Sequence, residues 1–167
     1  MSDHPSTSIN EILSASQLKK IDHWVAKYPK DEKQSAVMSA LMIVQEDHGY
    51  LTEALMDAIA QYLDMPPIAV YEVATFYSMY DHKPVGRHRV NVCTNISCQL
   101  RGSGAIVDQL EKSLAIQLGE TTTDGMFTLR GVECLGACVN APMMQVNKDF
   151  HENLTVETID SVLDQYR

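Results

Sequence analysis

Apolar residues recur at helical spacing through roughly the first half of the chain and then give way to strict alternation. Ser14 followed by Gln17 has the form of a capping box, and Leu18, Ile21, Val25 and Tyr28 fall on one face of a helix that Pro29 ends. Asp31 with Gln34 opens a second helix carrying Val37, Met38, Leu41 and Met42, and Gly49 stands where a helix closes. Thr52 caps a third, with Leu55, Ile59 and Leu63 inward. Pro66 and Pro67 stop it and preset φ for a fourth, whose Val70, Val73, Ala74 and Tyr77 form one stripe. Four short amphipathic helices in a row predict a small helical bundle.

The period changes at the turn-rich Lys83-Pro84-Val85-Gly86. His88, Val90 and Val92 alternate with Arg89 and Asn91, a strand pattern that leads into Cys93. Gly102 to Leu114 reads as a helix with Ile106, Val107, Leu110 and Leu114 inward, and 121–125 as a turn. Met126 to Val132 is a strand running toward Cys134, and Met143 to Val146 is another. Thr155 caps a last helix, with Leu154 and Ile159 as a hydrophobic staple and Val162, Leu163 and Tyr166 inward. The second half is thus expected to run β-α-β-β-α. The predicted class is α+β: a polar, flexible tail over 1–12, a helical domain over 13–82 and a second domain over 83–167.

A chain of 167 residues, 45% hydrophobic and 21% charged, suits one or two small globular domains. Its net charge of −9 argues against nucleic acid as a partner, because phosphate binding needs a basic face. No window approaches the roughly 20 apolar residues of a membrane-spanning helix, so direct membrane insertion is not expected. Met1 to Asn10 has no basic stretch of the kind that opens a secretory signal, and a reducing cytoplasm is the expected compartment.

In such a compartment four cysteines confined to two short clusters point to metal or redox chemistry rather than structural disulfides. Cys93 and Cys98 form C-x4-C, thirty-five residues follow, and Cys134 and Cys138 form C-x3-C. Each pair comes at the end of a predicted strand, where a loop wraps a cofactor while the strand holds its root. Four thiolates suit a [2Fe–2S] cluster, and Gly102, Gly104, Gly136, Ala137 and Ala141 let backbone approach the sulfurs. A structural zinc site is the competing reading, although zinc favours shorter pairs such as C-x2-C. No C-x-x-C is present for a thioredoxin-type dithiol, and the C-x2-C of plant-type ferredoxins is missing. His88, the histidine nearest in sequence to a cysteine, reads as a strand residue rather than a ligand. Phe76, Tyr77, Met79 and Tyr80 read as core, as a docking patch, or as both. No G-x-G-x-x-G follows a strand and no phosphate-binding loop is present, so neither an NADH nor a flavin site is expected.

Several stretches occur in a telling order: Ala74 to Tyr77, Val85 to His88, Cys93 to Cys98 with Gly102, Thr122 to Leu129, Cys134 to Cys138, and Ala141 to Met144. Together they closely resemble the thioredoxin-like [2Fe–2S] subunit, known as the E-type chain, of the NADH dehydrogenase module of respiratory complex I. The resemblance runs from about Leu13 to the C-terminus. It implies a thioredoxin-like ferredoxin fold after the helical bundle, with one [2Fe–2S] cluster on Cys93, Cys98, Cys134 and Cys138 and a cis bond before Pro142. It also implies helices that clasp a larger flavoprotein subunit, which carries FMN and the NADH site. The chain would then be a one-electron carrier with no catalytic residue of its own, held peripheral to the inner membrane among the other complex I subunits. Relatives of the same shape serve NAD-linked hydrogenases and formate dehydrogenases. The rival of another class is a zinc-stapled scaffolding module.

Overall fold

The computed structural model describes residues 9–167, which divide at Pro84/Val85 into two compact units. Most of the 1–12 tail expectation lies outside the described residues. Its last four, α1 (Ile9–Ile12), form one helical turn whose Ile9 and Ile12 pack on the core of the first unit.

The first unit is all-helical. α2 (Ala15–Val25) starts at the expected capping box: the Gln17 N–H donates to Ser14 Oγ at 3.2 Å, and Gln17 Oε1 accepts from the Ser14 N–H at 2.8 Å. The helix ends at Val25, one turn sooner than Pro29 suggests, so Tyr28 stands beyond its end and is 37% exposed. Residues Lys33–Ala36 wind as a 3₁₀ turn before α3 (Val37–His48), so the start assigned to Asp31 is corrected to Ala36. Gly49 closes α3 at φ +84°, a conformation that costs glycine little. Thr52 caps α4 (Glu53–Tyr62), its Oγ1 accepting from the Leu55 N–H at 3.3 Å, and Pro67 opens α5 (Pro67–Phe76). Ile21, Leu41, Val44, Ile59, Leu63 and Val70 meet in the core. Buried Gln45 fastens the chain after α5 to α3: its Nε2 donates to the Met79 carbonyl at 2.9 Å, and its Oε1 accepts from the Asp81 N–H at 2.6 Å.

The second unit is built on a sheet of four strands, among the described residues, in the order β2-β1-β3-β4. β1 (His88–Cys93) runs parallel to β2 (Phe127–Val132), with His88 opposite Phe127 and Cys93 opposite Val132. β3 (Met144–Val146) is antiparallel to β1, and β4 (Asp149–His151) is antiparallel to β3. Between β1 and β2 come the one-turn α6 (Ile96–Leu100) and α7 (Ser103–Leu114); α8 (Ile159–Leu163) follows a 3₁₀ turn near the C-terminus. Val90, Val92, Leu129 and Val146 from the sheet pack against Ile106, Leu110, Ile159 and Leu163 from the helices. The expected β-α-β-β-α order lacks two of these pieces, α6 and β4. β4 is a three-residue edge strand with exposed Asp149 and Phe150, turned by Asn147 at φ +55°, and it shows little apolar alternation.

Candidate metal centre

The parallel pairing of β1 and β2 puts the C-terminal ends of both strands at one edge of the sheet, the place where open α/β sheets take their ligands. Cys93 is the last residue of β1, and Cys134 comes two residues after its partner Val132. Cys98 sits on α6, a helix where the spacing predicts loop, and Cys138 begins the 3₁₀ turn Cys138–Asn140. His88 stands at the opposite end of β1 from Cys93, where its Nδ1 meets Asn147 Nδ2 at 2.9 Å, in keeping with a strand role.

The two pairs differ in environment. Cys93 and Cys98 are 3% and 2% exposed and pack against Ala141 and Met143, with Leu135 and Ala137 partly buried beside them. Cys134 and Cys138 are exposed. Met143 and Met144 go to opposite faces, as neighbours on extended chain do: Met144 enters the sheet core and Met143 the thiol pocket. The Cys93 N–H donates to the Met143 carbonyl at 3.2 Å, and the Cys93 thiol to the Glu133 carbonyl at 3.7 Å. Burial pushes the Cys98 thiol up to about 11, reinforced by its hydrogen bond to Cys93 and by the charges of Cys93 and Cys138, while the Met143 N–H acts the other way.

Residues other than the cysteines hold the loops. Thr94 donates from both its N–H and its Oγ1 to the Val132 carbonyl, at 2.9 and 3.3 Å, which ties the two strand ends together. Asn140 Nδ2 donates to Glu152 Oε2 at 2.6 Å, and the Asn153 N–H to the Asn140 carbonyl at 2.7 Å, anchoring the second loop to the chain after β4. Gly136 takes φ +80° between Cys134 and Cys138. The ends of the Thr94 and Asn140 contacts are far apart in sequence, so no local pattern announces them.

Among the described residues no three His, Cys, Asp or Glu side chains gather around one point. A dinuclear cluster asks for two thiolates on each of its irons rather than four on one ion. The donor types fit that demand: a hydrogen-bonded buried pair, Cys93 and Cys98, with the Met143 N–H at the Cys98 sulfur, and a second, exposed pair, Cys134 and Cys138, after the end of β2. Ala141–Pro142 is cis, as the resemblance implied.

The profile of the thioredoxin-like [2Fe-2S] ferredoxin family matches residues 21–167. The E 2 chain of the NADH-quinone oxidoreductase of Rhizobium meliloti is 46% identical over 148 residues, covering 89% of this chain and 87% of that protein. The E chain of the NADH-quinone oxidoreductase of Rickettsia felis is 42% identical over 160 residues, covering 95% and 96%. Mitochondrial NADH dehydrogenase [ubiquinone] flavoprotein 2 of Dictyostelium discoideum is 46% identical over 151 residues, or 90% of this chain and 61% of that one. In structure, a chain of an NAD+-reducing [NiFe]-hydrogenase matches with a TM-score of 0.67 at 21% identity, over 81% of this chain and 24% of its own length. That likeness concerns the fold. With a family match across most of the chain, the zinc reading gives way to one [2Fe–2S] cluster as the cofactor. The chain belongs to the thioredoxin-like [2Fe–2S] ferredoxin family and, within it, to the E-type chains of NADH-quinone oxidoreductase.

Proposed function

We propose that the chain is a one-electron carrier of an NADH:quinone oxidoreductase, holding its [2Fe–2S] cluster on Cys93, Cys98, Cys134 and Cys138 and exchanging electrons with the FMN of a partner flavoprotein subunit that also binds NADH. The observation that carries this reading is that the two cysteine motifs follow the neighbouring C-terminal ends of β1 and β2, one pair buried and the other exposed. When bound, the cluster supplies a reversible one-electron change without proton chemistry.

The chain's own residues do the rest. Cys93 and Cys98 root the site in the sheet, and Met143 and Ala141 exclude water from that side. Exposed Cys134 and Cys138 leave the other side open to a partner. Apolar residues next to each motif in sequence are exposed: Leu100 is 82% exposed and Val139 86%. A partner covering them would dry the gap across which an electron moves. The helical unit, with Phe76 79% exposed at the end of α5, is the assembly element, and the unit from Val85 onward is the cluster domain.

Relatives at 42–46% identity carry quinone oxidoreductase names, whereas the hydrogenase chain is 21% identical, so the quinone-linked host is the one this reading follows. No helix among the described residues is long and apolar enough to cross a membrane, which suits a cytoplasmic subunit held at the inner membrane through the complex. Electron paramagnetic resonance of the anaerobically purified, dithionite-reduced chain tests the cofactor. Reduction of the cluster by NADH only when the flavoprotein subunit is present tests the route, and reduction by NADH without that subunit would overturn it.

A further inference from the structure

In the first unit a cleft of about 400 Å³ lies between α2 and α3, lined by Lys19, Lys20, His23, Trp24 and Ile43. Its charge runs against the rest of the molecule. Residues 15–30 carry four lysines and one aspartate, in a chain whose net charge is −9. The aspartate, Asp22, is turned away to accept a hydrogen bond from the Tyr62 hydroxyl. Lys20 Nζ reaches Asp47 Oδ1 only at 3.9 Å, with both side chains about half in solvent. Lysines near a helix C-terminus are stabilised by its dipole, but Lys19 and Lys20 stand in the middle of α2, where that term has faded.

Trp24, the chain's one tryptophan, is 38% exposed at this cleft, and Lys27 Nζ lies 3.5 Å from the centre of its ring. An indole under one ammonium group, in a cleft it shares with Ile43 and two more lysines, is the composition of an interface anchor. The cleft has no glycine loop and no helix N-terminus to cradle a free phosphate: its lining comes from the side chains of two helix bodies. We propose that this cleft docks an acidic segment of a partner protein in the assembly, with an apolar side chain against Trp24 and Ile43 and carboxylates against Lys19, Lys20 and Lys27. Because the chain as a whole is acidic, the attraction acts only at close range, within the roughly 8 Å over which charge is felt at physiological salt. The cleft therefore adds specificity and salt dependence to assembly.

This rests on the chain being a subunit of a larger oxidoreductase, and the test separates the two readings. Lysine acetylation read by mass spectrometry is run on the purified NADH:quinone oxidoreductase complex and on the free, cluster-loaded chain. Lys19, Lys20 and Lys27 are expected to be labelled at least about ten-fold more slowly in the complex. K19E/K20E and W24A should each raise the dissociation constant for the other subunits at least about ten-fold, with the loss in K19E/K20E growing as salt falls, while K19R/K20R restores binding. Circular dichroism and the cluster signal of each variant check that it is folded. Equal labelling in the complex and the free chain, or assembly of K19E/K20E with unchanged salt dependence, overturns the cleft proposal and leaves the carrier role standing. A chain that joins no such complex overturns both. Protection of the three lysines by added ADP in the free chain would assign the cleft to a nucleotide and overturn the docking proposal.

Discussion

Gly86 has no room for a side chain against Phe127: a Cβ placed on it would lie 2.7 Å from the Phe127 carbonyl carbon and 2.9 Å from its nitrogen. Both are backbone atoms and cannot swing aside. The Gly86 N–H also donates to Thr128 Oγ1 at 2.6 Å. The approach lies where β1 and β2 begin to pair, at the far end of the register that delivers Cys93 opposite Val132. G86A is therefore expected to destabilise the second unit by about 1–3 kcal/mol, as overpacking does. A urea midpoint equal to that of the parent chain would refute this.

Each of Cys93→Ala, Cys98→Ala, Cys134→Ala and Cys138→Ala is expected to lose the cluster or hold it badly, since four thiolates are needed and the chain has four cysteines. Iron and acid-labile sulfide are the measurements, and full occupancy in one variant would strike that residue from the ligand set. In the cluster-free chain the variants should separate. Loss of the buried sulfur at Cys93 or Cys98 should cost about 1 kcal/mol, because a free thiol packs as a small apolar group. Loss at exposed Cys134 or Cys138 should cost close to nothing.

The chain alone is expected not to oxidise NADH, having no nucleotide-binding signature in its sequence. NADH consumption with ferricyanide as acceptor, with and without the flavoprotein subunit, checks this. Turnover by the flavin-free chain would end the carrier assignment.

A fragment spanning 85–167 contains all four cysteines and a core of its own around Val90, Val92, Leu110 and Leu129. It is expected to bind iron and give a [2Fe–2S] signal, though with modest stability for about eighty residues. It should bind the flavoprotein subunit more weakly than the full chain. Equal affinity in calorimetry would assign docking to the cluster domain, and loss of the signal would show that the helices help build the site.

High pH should loosen the helical unit. The Tyr62, Tyr71 and Tyr80 hydroxyls are each raised from an ordinary value near 10 to about 12. Burial is the main cause at Tyr62 and Tyr80; the hydrogen bond to Asp57 leads at Tyr71, and the Asp22 carboxylate adds to burial at Tyr62. The unfolded chain gives up these protons first, so their contribution is whole below about pH 10 and is lost as pH rises through about 12. Urea unfolding measured across that window should show stability falling with pH. The fall should be shallower in Y62F/Y71F, and an unchanged slope there would remove these two hydroxyls as its source.

Much of the architecture was legible in local sequence. Ser14 with Gln17, Thr52 with the Leu55 N–H, Gly49 and Pro67 mark helix ends because each acts on backbone within three or four residues of itself. Alternation at Val90 and Val92 marks β1 because one face of that strand is buried. The cysteine spacings and the motifs around them carried the family and its cofactor. Other features depended on partners far along the chain. α6 is too short for a helical period to show, and β4 is an edge strand whose hydrogen bonds come from β3. Tyr28 matches the apolar stripe of α2 yet lies past its last turn, and the carboxylate ties of Tyr62 and Tyr71 come from separate helices.

For this protein, then, the sequence by itself determined which thiols are available, their spacing, and where most helices and strands begin, because caps, prolines and apolar period act over a few residues. Only the tertiary structure decided that Cys93 and Cys98 lie inside while Cys134 and Cys138 face out, and that Lys19, Lys20 and Trp24 share a cleft with Ile43. Those outcomes depend on which strand pairs with which and which helix packs on which. Such contacts are chosen by burial summed over the whole unit, and no short stretch of chain encodes that sum.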